Sequence, residues 1–306
     1  MSLSTENIMT HNEISSLADI NRTSPIGIFD SGIGGLTVLK EIWHTLPGES
    51  TIYFGDNGRQ PYGSKSHDTI VKYSTEIMRF LESKHVKMIV IACNSASSHA
   101  YETLCRISKV PVVEVITPGA RQAAKRTRNG KIGIIATRAT VTSGVYNSAV
   151  VQAAKNLIND ESPNSEVLRS LEVREVACPL FASLAEEGWW DTPVTRMVAE
   201  TYLQTLIESG TDTLVLGCTH YPLLRDVISG VMGENTLLID SGSSVAEKVR
   251  DVLDKNHLMN DGSTLPTYQF YTSDDPHMFE NMATPFLGGG RPSGTCYVST
   301  DSFREE

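Results

Sequence analysis

A chain of 306 residues, 40% hydrophobic and 20% charged, has room for two domains or one large one with an ample core. A net charge of −10 with no evident basic face argues against a nucleic-acid or anionic-membrane partner, and no apolar run approaches the roughly 18 residues of a membrane span. The five cysteines are odd in number, scattered and free of C-x-x-C pairs, so they suggest neither a disulfide framework nor a zinc knuckle but a reducing cytoplasm.

Residues 1–24 are polar, lack the apolar core of a signal peptide and could bury little surface to offset the entropy of ordering, which predicts a loose extension. Structure is expected from Pro25. Ile26 to Phe29 reads as a strand, Asp30 to Gly35 (D-S-G-I-G-G) as a glycine-rich turn into a helix from about Leu36, and Thr51 to Gly55 as a strand ending at Asp56. The loop from Asp56 to Lys65 is full of turn residues. Ile70, Tyr73, Ile77, Phe80 and Leu81 form one apolar stripe, predicting a helix over Thr69 to His85. Met88 to Ser97 (M-I-V-I-A-C-N-S-A-S) then carries a buried parallel strand into Cys93, and Val112 to Ile116 supplies another strand.

The pattern then restarts. The basic run Arg121 to Lys131 reads as a solvated helix end. Lys131 to Thr137 echoes Pro25 to Ser31 at an offset of 106. A strand over Leu171 to Val176 ends at Cys178-Pro179, and a helix is expected over Val194 to Ile207. Thr213 to Pro222 (T-L-V-L-G-C-T-H-Y-P) repeats the cysteine strand, placing Cys218 125 positions after Cys93. A last strand over Leu237 to Asp240 and a helix near Val245 to Asp254 would carry the chain back towards its first half. The weak repeat predicts an α/β fold of two similar open domains with largely parallel sheets. The first would comprise residues 25–115 and 241–306, the second 116–240, with the active site in the cleft between them.

A cysteine after an apolar run is ordinarily a small buried hydrophobe. Here Cys93 and Cys218 both end sheet strands, where open α/β folds bind ligands, and both precede helix-capping or anion-binding residues. A helix N-terminus beyond each thiol would stabilise a thiolate. Cys105, Cys178 and Cys296 have no such twin and read as structural. Two thiols that are not a disulfide suit proton transfer at a carbon acid from opposite faces, one removing and one returning a proton. Asp30 and His220 are candidates to set their protonation. Ser31, Tyr62-Gly63, Asn94-Ser95 and Thr219-His220 offer donors for a small amino acid with two carboxylates, although helix capping also explains Ser31, Asn94 and Thr219.

Other chemistries fit less well. Cys218 and His220 lack third and fourth ligands at ordinary spacing, so no metal site is expected. The context of a Cys–His protease is missing. D-S-G-I-G-G departs from G-x-G-x-x-G at Thr37, which leaves a dinucleotide site, with Asp56 as its ribose acid, a distant alternative. No lysine in a matching setting suggests pyridoxal phosphate.

F-D-S-G-I-G-G-L-T-V-L (29–39), Y-F-G-D-N-G-R-Q-P-Y-G (53–63), I-A-C-N-S-A-S (91–97), A-C-P-L-F-A-S-L-A-E-E-G (177–188) and L-G-C-T-H-Y-P-L-L (216–224) together resemble the glutamate racemases. The resemblance runs from about Pro25 to about Ala246, with a continuation over Phe270 to Gly290. It implies a cofactor-independent enzyme interconverting L- and D-glutamate for peptidoglycan, with Cys93 and Cys218 as acid/bases. Asp30 would assist Cys93, and His220 with Glu186 would assist Cys218, the adjacent Glu187 remaining the alternative. Substrate would be held by Asp30-Ser31, Tyr62-Gly63, Asn94-Ser95 and Thr219-His220. The resemblance also implies a homodimer and raises a peptidoglycan precursor as activator. Ser95 stands where many members carry Thr, which keeps the hydroxyl. Aspartate as substrate and a non-catalytic amino-acid binder are the alternatives.

Overall fold

The computed structural model describes residues 20–303. Residues 1–19 of the expected extension lie outside them, whereas the carbonyl of Arg22 already accepts a hydrogen bond from buried Lys87 Nζ at 2.6 Å.

Among the described residues ten strands are formed: β1 (Ile26–Asp30), β2 (Thr51–Gly55), β3 (Met88–Ile91), β4 (Val112–Glu114), β5 (Lys131–Ala136), β6 (Glu172–Ala177), β7 (Thr213–Gly217), β8 (Leu237–Ile239), β9 (Tyr268–Thr272) and β10 (Cys296–Tyr297). They make two sheets, ordered β10-β9-β2-β1-β3-β4 and β6-β5-β7-β8, and every pairing is parallel. The repeat read from the sequence is realised as topology. In each sheet the second strand of the half lies outside the first, and the third and fourth follow on the other side. Strand order therefore reverses between β1 and β3, and again between β5 and β7. Open α/β sheets present their ligand crevice at such switch points, beyond the carboxyl ends of the strands. Asp30 and Cys93 flank the first reversal; Thr137 and Cys218 flank the second.

β1, β2, β3 and β7 are buried along their whole length, as expected of parallel strands covered by helices on both faces. One face of each sheet has its own apolar cluster, built around Phe29, Phe54 and Ile77 in the first and Phe181, Leu203 and Tyr221 in the second. The opposite faces share a third cluster running from Ile28 and Leu39 through Ile116 and Ala120 to Ile134, Tyr146 and Val215. A continuous apolar core thus joins the two halves on one side. β9 and β10 extend the first sheet, so the chain does return to it after β8.

Helices expected from apolar periodicity appear with local signals at their ends. His67–Ser83 is capped by the Ser66 side chain, which accepts from Thr69 N, and Pro193–Glu208 starts with Thr192 as cap and Pro193 in its first turn. The helix Ile116–Arg126 carries Lys125 and Arg126 in its last turn, where the basic run was read as a helix end. Two expectations are corrected. β4 stops at Glu114 rather than Ile116, because the buried Glu114 carboxylate turns to accept the backbone N–H groups of Ile116 and Thr117 and starts a helix there. No α-helix begins immediately after Cys218; a 3₁₀ turn over Tyr221–Leu224 precedes the helix Arg225–Met232. Tyr221 N closes a turn on Cys218 O and Leu223 N one on His220 O, both at 3.1 Å, so the chain first winds in three-residue turns before the α-helix begins. Among the described residues no helix is long and apolar enough to cross a membrane.

Candidate active site

The first half-site is assembled at the end of β1. The turn after it folds back so that Asp30 Oδ2 accepts Gly35 N at 2.9 Å and Gly32 N at 3.3 Å, while Tyr53 OH pins the turn through Gly32 O at 2.8 Å. Gly35 has no space for a side chain: a Cβ there would lie 2.6 Å from Asp30 Cβ and 2.9 Å from Tyr53 OH. The other Asp30 oxygen, Oδ1, is buried without a hydrogen-bond partner. An unpaired buried carboxylate oxygen is costly, and a ligand cation would relieve it.

Cys93 stands beside this carboxylate as the N-cap of the helix Asn94–Ile107, its Sγ accepting Ala96 N at 3.4 Å. Sγ also lies 3.6 Å from Ser31 Oγ. Burial, and after it the charge of Asp30, push the Cys93 thiol up, against the lowering contacts from Ala96 and Ser31. Both effects favour the protonated thiol over the thiolate.

The second half-site follows β7. His220 Nδ1 is 3.8 Å from Cys218 Sγ, and its Nε2 is 2.9 Å from Glu186 Oε1 on the helix Leu180–Glu186. It is Glu186, of the adjacent pair of glutamates, whose carboxylate reaches the imidazole. Burial alone would lower His220, but its hydrogen bonds to Cys218 and Glu186 outweigh that and raise it to about 10. These contacts favour the protonated imidazole. Phe286 meets its ring edge-on at 5.4 Å between centroids.

The two half-sites touch. Thr37 Oγ1 donates to Thr219 O at 3.2 Å. A Cβ on Gly34 would strike Thr219 Oγ1 and stand 2.6 Å from His220 Cε1 and Nδ1. Ser95 Oγ is 2.9 Å from Thr137 Oγ1, and Tyr146 OH donates to Asn94 Oδ1 at 2.7 Å. A cavity of about 220 Å³ at this junction is lined by Asn94, Cys218 and Thr219 together with Thr37, Asp240 and Phe286. Cys93 and Cys218 are only 5% and 7% exposed, so both thiols are shielded from solvent in this arrangement.

Asp30, Ser31, Cys93, Asn94 and Ser95 thus gather on one side, and Cys218, Thr219, His220 and Glu186 on the other. Tyr62 is placed differently from its expected use. Its ring is fully buried and its hydroxyl donates to Asp56, within a network where Arg59 Nε and Ser273 Oγ bind the same carboxylate at 2.8 and 2.6 Å. Only the backbone around Tyr62-Gly63 is free to face a ligand, and Gly63 packs directly on Thr137. The same network occupies Asp56, the residue considered as a ribose ligand. Sequence reasoning missed Thr137, Tyr146 and Phe286. Thr137 had a signal, as the counterpart of Ser31 in the repeat; the other two had none.

The sequence profile of the Asp/Glu/Hydantoin racemase family matches residues 27–249. A glutamate racemase of Geobacter metallireducens is 48% identical over 264 residues, covering 86% of this chain and 93% of that protein. The fold is similar to glutamate racemase from Francisella tularensis, solved in complex with D-glutamate (TM-score 0.81, 35% identity, 92% of this chain and 99% of that one). It is also similar to the Escherichia coli glutamate racemase solved with L-glutamate and the activator UDP-MurNAc-Ala (TM-score 0.72, 28% identity, 90% and 98%).

Proposed function

The chain belongs to the Asp/Glu/hydantoin racemase family, and we propose that this amino-acid racemase interconverts L- and D-glutamate by two-base proton transfer between Cys93 and Cys218. The observation that carries the proposal is the pair of thiols at equivalent switch points, each with its own ionisable neighbour: Asp30 beside Cys93, and His220 with Glu186 beside Cys218.

In this reading the ligand lies between the half-sites. Its ammonium meets the unpartnered Asp30 Oδ1. A carboxylate is received by the amides at the start of the helix Asn94–Ile107, where free N–H groups and the helix dipole favour an anion, aided by Asn94, Ser95, Ser31 and Thr219. One thiolate takes the α-proton from one face while the opposite thiol delivers a proton to the other, and the centre inverts. His220, oriented by Glu186, exchanges a proton with Cys218. The cycle consumes no cofactor. Closure of the halves excludes water from a weakly acidic C–H, which strengthens the electrostatic help given to the carbanion-like state. We place the reaction in the cytoplasm as a source of D-glutamate for peptidoglycan. The Escherichia coli relative makes a UDP-linked muramyl precursor the activator to test.

Proton NMR of the purified protein in heavy water, with each glutamate enantiomer in turn and optical activity followed in parallel, tests the proposal. Loss of the α-proton signal with inversion from both enantiomers is expected, and Cys93→Ser or Cys218→Ser should abolish inversion of both. Normal racemisation by the double Cys→Ser protein overturns the two-cysteine mechanism. Washout with aspartate but not glutamate reassigns the substrate. Silence with both amino acids, with and without the precursor, leaves an amino-acid-binding protein.

A further inference from the structure

Tyr146 lies in the helix Val145–Asn159, packed against the second sheet, and is completely buried in the core that joins the two halves. A buried phenol needs a partner for its hydroxyl. Here it has two, Asn94 Oδ1 at 2.7 Å and Ser241 Oγ at 3.5 Å. Asn94 directly follows Cys93. Ser241 lies where the chain leaves β8 to return to the first half.

The donor inventory fixes the direction of the short bond. A phenol has one proton, and Asn Oδ1 only accepts, so Tyr146 donates to Asn94. Burial pushes the Tyr146 hydroxyl up and keeps that proton in place. Ser241, at the longer distance, is left to donate to the phenolic oxygen. Because the amide is planar, holding Oδ1 on Tyr146 also fixes Nδ2. Among the described residues no hydrogen bond from Nδ2 accompanies the one that Oδ1 accepts, and Asn94 lines the cavity at the junction. With the amide reversed, Nδ2 would meet the phenol and an acceptor oxygen would be offered to an incoming carboxylate, which repels it.

We propose that Tyr146 is a positioning residue for substrate: its hydroxyl locks the Asn94 amide with the NH₂ group towards the ligand carboxylate. This rests on the glutamate racemase reading above. Tyr146 comes from the second half and Asn94 from the first, so the donor is correctly oriented only while the halves are joined as seen here. Substrate recognition is thereby tied to the packing of the two halves.

A double-mutant cycle tests the proposal. Tyr146→Phe keeps the ring and removes the proton. The loss of one buried hydrogen bond and the freed amide predict a KM about tenfold higher for both L- and D-glutamate, with a smaller change in kcat. In an Asn94→Ala background the same Tyr146→Phe change should alter KM by less than about twofold, since there is no amide left to orient. Asn94→Asp, which keeps an acceptor for Tyr146 and removes the NH₂ group, should raise KM at least as much as Asn94→Ala; this variant leaves Tyr146 in place and reads the contact even if Tyr146→Phe folds poorly. Equal KM factors for Tyr146→Phe in both backgrounds would show that the hydroxyl serves only the core, and overturn the proposal. So would an unchanged KM in folded Tyr146→Phe, or wild-type affinity in Asn94→Asp. An inactive wild-type protein instead removes the racemase reading, and the role of Tyr146 with it; an active one with a multiplicative cycle removes only the role of Tyr146.

Discussion

Gly34→Ala is the sharpest single perturbation of the junction between the half-sites. The backbone of Gly34 is not in the left-handed region, so alanine adds one methyl group and no conformational strain. That methyl would stand 2.6 Å from His220 Cε1 and Nδ1 and would also strike Thr219 Oγ1. Carbon atoms prefer about 3.5 Å, so something must yield by about 0.9 Å. The Thr219 side chain can rotate. The His220 ring cannot move so freely, because Glu186 holds its Nε2 at 2.9 Å and Phe286 packs its edge. The relief available is a displacement of the first turn, with Asp30 and Cys93, from the second half-site. Misplacement by about 1 Å costs on the order of 100-fold in rate when reacting groups must be aligned, whereas overpacking costs only about 1–3 kcal/mol of stability. The expected result is a protein that still folds, with a modestly lower Tm and kcat/KM for both enantiomers reduced about 100-fold. Gly48→Ala, whose Cβ meets nothing within 4 Å, is the matched control and should leave activity unchanged. Coupled optical-rotation kinetics and a thermal melt read both quantities. A Gly34→Ala protein within about threefold of wild type would refute the argument that this contact sets the distance between the half-sites.

Asp30→Asn removes the charge that helps to push up the Cys93 thiol; the thiol should titrate at lower pH, read as the difference in thiolate absorbance between proteins with and without Cys93, while racemisation falls by about 100-fold or more. An unchanged Cys93 titration would remove Asp30 as its electrostatic neighbour. His220 is raised to about 10, above the ordinary imidazole value of about 6.5, so the native state holds an extra proton between those values. Its stabilising contribution is therefore complete below about pH 6.5 and is lost as pH rises through about 10; the Tm gap between wild type and Glu186→Gln should be wide at about pH 6 and narrow by about pH 10, and a gap that widens with pH would reverse the assignment. Lys87 and Glu49 form an ion pair with 0% and 2% side-chain exposure, and Glu49 also accepts Asn260 N at 2.8 Å. Lys87→Met strands the carboxylate and should cost about 3–5 kcal/mol in urea unfolding; a loss below about 1 kcal/mol would mean that water reaches the pair.

The strands from β1 to β8 were legible, most of them as short apolar runs bounded by turn residues, and the offset of 106 between Pro25 and Lys131 became the shared strand order of the two sheets; β9, Y-Q-F-Y-T with its first two residues exposed, carries no such run and was not read. Both cysteines were found by context, at the ends of β3 and β7. The helix Val145–Asn159 was not foreseen; it buries only Tyr146, Val150 and Ala154, too thin a stripe to stand out as periodicity. The end of β4 was misplaced because a glutamate carboxylate, not a glycine or proline, ended it. Partnerships across the chain are a harder case. Tyr146 and Asn94 are 52 residues apart, and Phe286 reaches His220 from the C-terminal segment. No local pattern encodes such pairs, since they exist only once two independently twisted sheets are brought together. Glu186 came from family likeness and not from any spacing.

The half-sites share a strand order but carry opposite charges, and this has a consequence for the proposed reaction. Cys218 faces an imidazole whose contacts favour its cationic form, whereas Cys93 faces the Asp30 carboxylate, whose second oxygen has no partner. In the free protein that anion disfavours a thiolate at Cys93. A substrate ammonium settling on Asp30 Oδ1 offsets the charge, and the obstacle to ionising Cys93 falls when there is a proton for it to take. The ammonium also acidifies the α-carbon of the same molecule. One ion pair would then act on both reactants, readying the base and the carbon acid together, while the thiol stays protonated and unreactive between turnovers. Loss of this coupling is what the Asp30→Asn titration reads. A Cys93 that ionises more easily in the variant, yet removes α-protons more slowly, separates the ease of forming the thiolate from the benefit of forming it only beside a bound ammonium.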